Sequence, residues 1–167
     1  MIDMTKSPIN SQAPVASAPK RSLTPRRRAR EYALQGVYQS LVMRRAGSLP
    51  NAAAIAKQLA EDPGFRRCQL DLFQGIFTGV LERTDALEGL ITPALDRPIN
   101  ELSPVEHAAL LIGTYELAID LSVPYKVAIN EAVELAKTFG GTDGHKYVNG
   151  VLDQLAQKLR STEIKAN

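Results

Sequence analysis

Tryptophan is absent from this chain, cysteine occurs once and histidine twice. A single thiol, Cys68, excludes an internal disulfide framework and a cysteine metal cage. His107 and His145 lie far apart in the sequence, so a metal site would need carboxylates that no spacing supplies. Aromatic residues make up only 5% of the chain, which suits a β-sandwich poorly. No apolar run approaches the roughly 20 residues of a membrane-spanning helix. The N-terminus lacks the charged-then-apolar order of a secretory signal, so a cytoplasmic protein is expected.

What the chain does have is alanine, leucine and helical periodicity. Its apolar fraction is 44%, enough for real burial, and 167 residues fit one domain or two small subdomains sharing a core. Residues 1–24 are rich in Ser, Pro, Ala and basic groups and read as a disordered tail. Residues 25–160 read as one all-α domain of about seven helices, and residues 161–167 as a C-terminal tail.

Thr24-Pro25 offers an N-cap followed by proline at the first helical position. The first helix runs to about Arg45 and ends before Gly47. Ala29, Ala33, Gly36, Val37, Ser40 and Leu41 fall on its buried stripe, and Arg27, Glu31, Gln35 and Tyr38 on the opposite face. A second helix follows Pro50-Asn51. A third spans about Phe65 to Arg83, and a fourth about Asp85 to Leu95. Ser103-Pro104-Val105-Glu106 is a capping box that starts a fifth, with His107 on its outer first turn and Ala108, Leu111, Ile112, Tyr115 and Ile119 inward. A sixth starts at Pro124 and stops at Phe139-Gly140, where glycine would supply a left-handed residue. The last begins near Thr142-Asp143 and turns Val148, Val151, Leu152, Leu155 and Leu159 to one side. Asn149-Gly150 resembles a hairpin turn, but the helical period continues through it to Leu159. Glycine inside a helix costs about 1 kcal/mol relative to alanine, so Gly150 implies a close approach by a packed helix or a ligand.

Charge is distributed unevenly. From Lys20 to Glu31 there are six basic residues and one acid, a local charge of +5 in a chain whose total is +2. One basic end on a mildly acidic body is the footprint of a nucleic-acid binder. A solvated junction between tail and helix would look similar. Arg30 lies at the edge of the buried stripe, where a structural salt bridge and an RNA contact are both open. No nucleophile or acid–base set converges, and Gly140 to Lys146 is not a P-loop. That segment does lead into a helix beside Lys146, a place for a phosphate, or else a plain cap with Asp143 at the N-cap. Tyr38 and Tyr147 are half-exposed rings near cations, as single-stranded RNA requires, although each would also suit the rim of a core. Asn130 and Glu131 near the apolar side of the sixth helix point to an inter-helix hydrogen-bond network. Glu134 with Lys137 reads as a surface pair.

The run Arg26-Arg27-Arg28-Ala29-Arg30-Glu31, with Ala33-Leu34-Gln35 and Tyr38, resembles the opening of the NusB family of bacterial transcription antitermination factors. The resemblance strengthens through Tyr115-Glu116-Leu117, Val123 to Lys137, Phe139-Gly140 and His145 to Asp153, and covers about residues 25 to 160. It implies an all-helical fold of two packed subdomains, no enzymatic activity and no cofactor. It implies binding to the boxA element of nascent RNA together with the ribosomal small-subunit protein NusE. That pair would join the RNA polymerase elongation complex with other Nus factors. By position, the RNA-binding residues would be Arg27, Arg28, Arg30, Tyr38, Lys146 and Tyr147. The family usually carries an arginine where this chain has Leu111, which draws attention to the network around Glu116 and Glu131. The competing expectations are a helical protein-interaction module with an acidic partner, and a homodimer that covers the basic face.

Overall fold

The computed structural model describes residues 23–166, and all of its regular elements are helical. The expected tail of residues 1–24 lies, up to residue 22, outside the described residues. Eight α-helices follow in order: α1 (Pro25–Arg45), α2 (Ala52–Ala60), α3 (Leu70–Glu82), α4 (Thr84–Ile91), α5 (Pro104–Ala118), α6 (Tyr125–Phe139), α7 (Gly144–Leu159) and α8 (Ser161–Ala166). Short 3-10 turns span Pro63–Arg67, Thr92–Ala94 and Ile99–Glu101. The seven expected helices are all present. The eighth occupies residues expected to be a tail, and the third starts at Leu70 because Pro63–Arg67 coils more tightly.

The helix ends follow from side-chain chemistry. Thr24 accepts the Arg27 N–H at 3.1 Å, and Asn51 accepts that of Ala54 at 3.0 Å. Ser103 and Glu106 close the full capping box of α5. At the end of α1, Gly47 has φ +82, with its N–H on Arg44 O and the Ser48 N–H on Met43 O. That pairing of crossed bonds is a Schellman stop.

Helices α1, α2 and α3 form one packed group, and α4 to α7 the other. α5 joins them, packing on α1 and α3 on one side and on α6 and α7 on the other. Ten of its fifteen residues are buried, so it is apolar almost all round and serves as the shared axis of the core. The predicted α1 stripe is buried throughout, and Tyr32 and Leu34 are buried with it because α3 and the Pro63–Arg67 turn cover a second side. Ile119, expected inside, is 44% exposed since α5 has already ended at Ala118.

Three glycines are told apart by the space beside them, and two of them, Gly140 and Gly150, depart from the sequence expectation. Gly140 has φ −101, an ordinary extended value, so handedness does not select it. A Cβ there would stand 2.5 Å from the Ala136 carbonyl oxygen, and that contact requires glycine. Gly79 sits against the Tyr115 ring, where a Cβ would come within 2.4 Å. Gly150, by contrast, has no neighbour within 4 Å of such a Cβ, so no packed helix accounts for it.

Candidate nucleic-acid interface

The arginines of α1 are not equivalent. Arg26 donates to Gln69 Oε1 at 3.4 Å across the start of α3. Arg27 forks onto Glu131 of α6, with Nε and Nη2 donating at 3.3 and 3.1 Å. That hydrogen bond, more than any other influence, raises the guanidinium pKa above its ordinary value. Arg28 is half-buried and lines a 160 Å³ cleft with Glu31, Tyr32, Asp62 and Phe139. Arg30 turns fully inward.

Arg30 was expected to contact RNA or to form a structural salt bridge, and its geometry is that of the salt bridge. Its Nε and Nη2 donate to the two carboxylate oxygens of Glu116 at 2.9 and 2.8 Å. The two side chains are 3% and 1% exposed. Burial opposes the charge on Arg30, but the fork to Glu116 prevails and its pKa is raised. A guanidinium so enclosed has no path to a phosphate. Of the inter-helix network expected at Asn130 and Glu131, Glu131 takes part through Arg27, whereas Asn130 is exposed. Glu116 is held as well, despite Leu111, and both cations come from α1. Leu111, where the family usually has arginine, is wholly buried in apolar surroundings.

Tyr38 is 40% exposed and lines a groove of about 420 Å³ with Leu34, Gln35, Gln39, Val105 and Phe139. Phe139 also lines the Arg28 cleft, so the two concavities adjoin. The first turn of α5 carries this surface onward. Val105 approaches Gly140, and the Glu106 carboxylate lies against Gly144, which leaves no room there for a Cβ. Gly144 opens α7, whose next exposed cation is Lys146.

Lys146 Nζ lies 3.4 Å from Asp143 Oδ1, with both side chains about three-quarters exposed. Such a pair is worth little in water. Asp143 occupies the N-cap position of α7, but its side chain makes no cap hydrogen bond. The expected cap is therefore absent because the residue sits at φ −117 and ψ 1, outside the extended geometry that capping needs. Tyr147 packs its ring partly on the core and donates its hydroxyl to Asp96 Oδ1 at 2.8 Å. Burial first, and then that bond, raise the Tyr147 pKa.

Of the six residues read from the sequence, Arg28 and Tyr38 line concavities that share Phe139, while Lys146 and Tyr147 lie in the first turn of α7 beside Gly144, against which Glu106 of α5 packs. Arg27 is engaged by Glu131, and Arg30 is buried on Glu116. Two polar nodes were missed. His107, expected on the surface, is 4% exposed. Its Nδ1 pairs with Arg45 Nη2 at 3.1 Å and its Nε2 with Glu88 Oε1 at 2.9 Å. Burial lowers its pKa, and Glu88 opposes that change. Arg160, also buried, donates to the carbonyls of Glu116, Leu117, Asp120 and Val123, and pairs with Glu163. Glu163 in turn accepts the Tyr125 N–H at 3.0 Å at the head of α6.

Known proteins with this pattern are numerous. The profile of the NusB family matches residues 27–157. The chain is 50% identical over 157 residues to the transcription antitermination protein NusB of Ralstonia pickettii, covering 94% of this chain and 96% of that one. It is 52% identical over 141 residues to the protein of the same name from Bordetella pertussis, covering 84% and 91%. Among solved structures, T. maritima NusB superposes with a TM-score of 0.70 at 28% identity, covering 85% of this chain and 98% of that one. A crystal structure of antitermination factors NusB and NusE in complex with double-stranded RNA shares the fold, with a TM-score of 0.68 at 22% identity over 80% and 97% of the two chains. With its arginine-led first helix and its matching final third, this chain belongs to the NusB family of transcription antitermination proteins.

Proposed function

We propose that this protein binds the boxA element of nascent ribosomal RNA together with NusE, and that the pair joins the elongating RNA polymerase with other Nus factors. Single-stranded RNA would cross the surface around the start of α5. Arg28 and Lys146 would meet phosphates, with Arg27 joining once it leaves Glu131, and Tyr38 and Tyr147 would receive bases. The observation that carries this reading is the connection of the Arg28 cleft to the Tyr38 groove through Phe139, and from there through Val105, Glu106 and Gly144 to Lys146. It gives a strand of nucleotides alternating cations and rings, as sequence-tolerant stacking with backbone contacts requires.

The protein acts in this reading by binding in the cytoplasm and not by catalysis. Its inward carboxylates are committed to ion pairs, Glu116 with Arg30 and Glu131 with Arg27, and His107 is held by a hydrogen bond to Glu88. No helix among the described residues is long and apolar enough to cross a membrane.

Fluorescence anisotropy with a short boxA RNA and a scrambled control, with and without NusE, tests the proposal. Preference for boxA that NusE strengthens is the expected result. Affinity should fall with salt at a log–log slope of about −0.7 per phosphate contact. Equal binding to both RNAs would leave only a generic RNA binder, and no binding even with NusE would favour a protein-interaction role.

A further inference from the structure

The sequence singles out Tyr147 but not the two residues that hold it. Asp96 and Arg97 occupy the loop between the Thr92–Ala94 and Ile99–Glu101 turns. Tyr147 Oη donates to Asp96 Oδ1, and the Asp96 backbone N–H donates back to Tyr147 Oη at 3.3 Å. Arg97 Nε and Nη2 fork onto the Asp96 carboxylate at 2.8 and 3.4 Å. The guanidinium carbon of Arg97 then lies over the Tyr147 ring, 4.5 Å from its centroid. Arg97 remains 46% exposed, whereas the ring beneath it is packed partly on the core.

A base approaching this place therefore meets a guanidinium before it meets a ring. We propose that Arg97 is the stacking platform of the α7 side of the RNA surface, with Tyr147 as its backing and Asp96 as the clamp that fixes its orientation. The proposal rests on the RNA-binding reading and changes one part of it: the base that reading gives to Tyr147 stacks instead on Arg97, which covers the ring. Guanidinium planes accept bases as aromatic rings do. An arginine already held by a ring and a carboxylate loses little freedom when a base arrives, so more of the stacking energy appears as affinity. Two of its donors are spent on Asp96, and the Nη1 side remains for a phosphate or a base edge.

Direct stacking on Tyr147 predicts the opposite sign for one variant. If the ring were the platform, Arg97 would stand in the way, and its removal would leave binding unchanged or tighter. If Arg97 is the platform, its removal weakens binding.

The test uses the full chain with boxA RNA and the scrambled control, by anisotropy at several salt concentrations, with and without NusE. Wild-type protein that fails to prefer boxA removes the boxA reading and, with it, this proposal. Given wild-type preference, Arg97→Ala should weaken boxA binding by about tenfold, the loss of one stacked base. Arg97→Lys keeps the charge but not the plane, so it should lose nearly as much affinity, with a salt slope altered by less than one contact, about 0.7. Tyr147→Leu should add little to Arg97→Ala, because backing and platform act as one unit. Thermal melts of the exposed-site variants separate these effects from unfolding. Arg97→Ala binding boxA as tightly as wild type, or more tightly, would overturn the proposal. So would an Arg97→Ala protein that loses only NusE while keeping its affinity for RNA alone, since Arg97 would then be a protein contact.

Discussion

Replacing Arg30 by methionine removes half of the most deeply enclosed ion pair in the fold and strands the other half. Both carboxylate oxygens of Glu116 take a donor from Arg30, and neither side chain has meaningful access to water. Breaking such a pair from one side costs about 3–5 kcal/mol, because the remaining charge keeps its desolvation penalty without its partner. Against a total stability of roughly 5–15 kcal/mol, that is a severe loss. At roughly 2–4 °C per kcal/mol for a domain of this size, the melting temperature should fall by roughly 6–20 °C. The double variant Arg30→Met with Glu116→Leu should recover most of it, since both charges then leave the interior. Urea denaturation followed by far-UV circular dichroism measures all three proteins. A cost below about 1 kcal/mol for Arg30→Met would mean that the pair behaves like a solvated surface bridge. The stabilised double variant also tests function. It should keep the wild-type salt slope for boxA, because Arg30 touches no phosphate, and a slope shallower by about 0.7 would refute that placement.

Freeing Arg27 should help RNA binding: Glu131→Gln is expected to tighten boxA affinity by about two- to fivefold, the worth of a part-exposed pair, as read by the same anisotropy titration. Gly150→Ala fills open space in the middle of α7 and should stabilise the protein by about 1 kcal/mol in urea melts; if it also cost RNA or NusE affinity, a partner would be shown to approach the backbone there. His107 titrates against stability. Its folded pKa is depressed below the ordinary 6.5, so the unfolded chain binds the proton more readily, and stability should be full above pH 6.5 and decline as pH falls below it. Urea midpoints at pH 7.5 and 5.5 should differ in wild type and differ less in His107→Gln.

Much of this was legible in the sequence because caps and periodicity are local. The capping box at Ser103, Thr24-Pro25 before α1 and Gly47 after it each act within one turn of chain, and each did what its chemistry predicts. The buried stripe of α1 was readable for the same reason. The failures share a different cause. His107 follows a helix start, where polar residues are usually wet, but Arg45 and Glu88 approach it from 62 and 19 residues away. Glu163 fell in a stretch read as a C-terminal tail, yet it accepts the Tyr125 N–H at the head of α6, and Arg160 beside it donates to carbonyls at the end of α5 and in the α5–α6 connection. Arg97, the proposed platform, was invisible because its setting depends on Tyr147, fifty positions downstream, lying beneath it. Gly140 was correctly placed at a helix end for the wrong reason, since contact with the Ala136 carbonyl and not handedness selects it. In each case the deciding neighbour is distant in sequence, and periodicity carries no information about it.

The Arg160 node has a consequence for how the protein is made. Its guanidinium grips the backbone of Glu116, the same residue whose side chain holds Arg30 of α1. The basic helix is synthesised early, but the residue that secures its anchor comes 130 positions after Arg30, and α8 follows with Glu163 to complete the grip. During translation the N-terminal group can collapse first, yet the Arg30–Glu116 pair gains this backing only once Arg160 and α8 have left the ribosome. Chains truncated just before Arg160 would therefore possess every candidate RNA-contacting residue and lack the fastening that sets them in register.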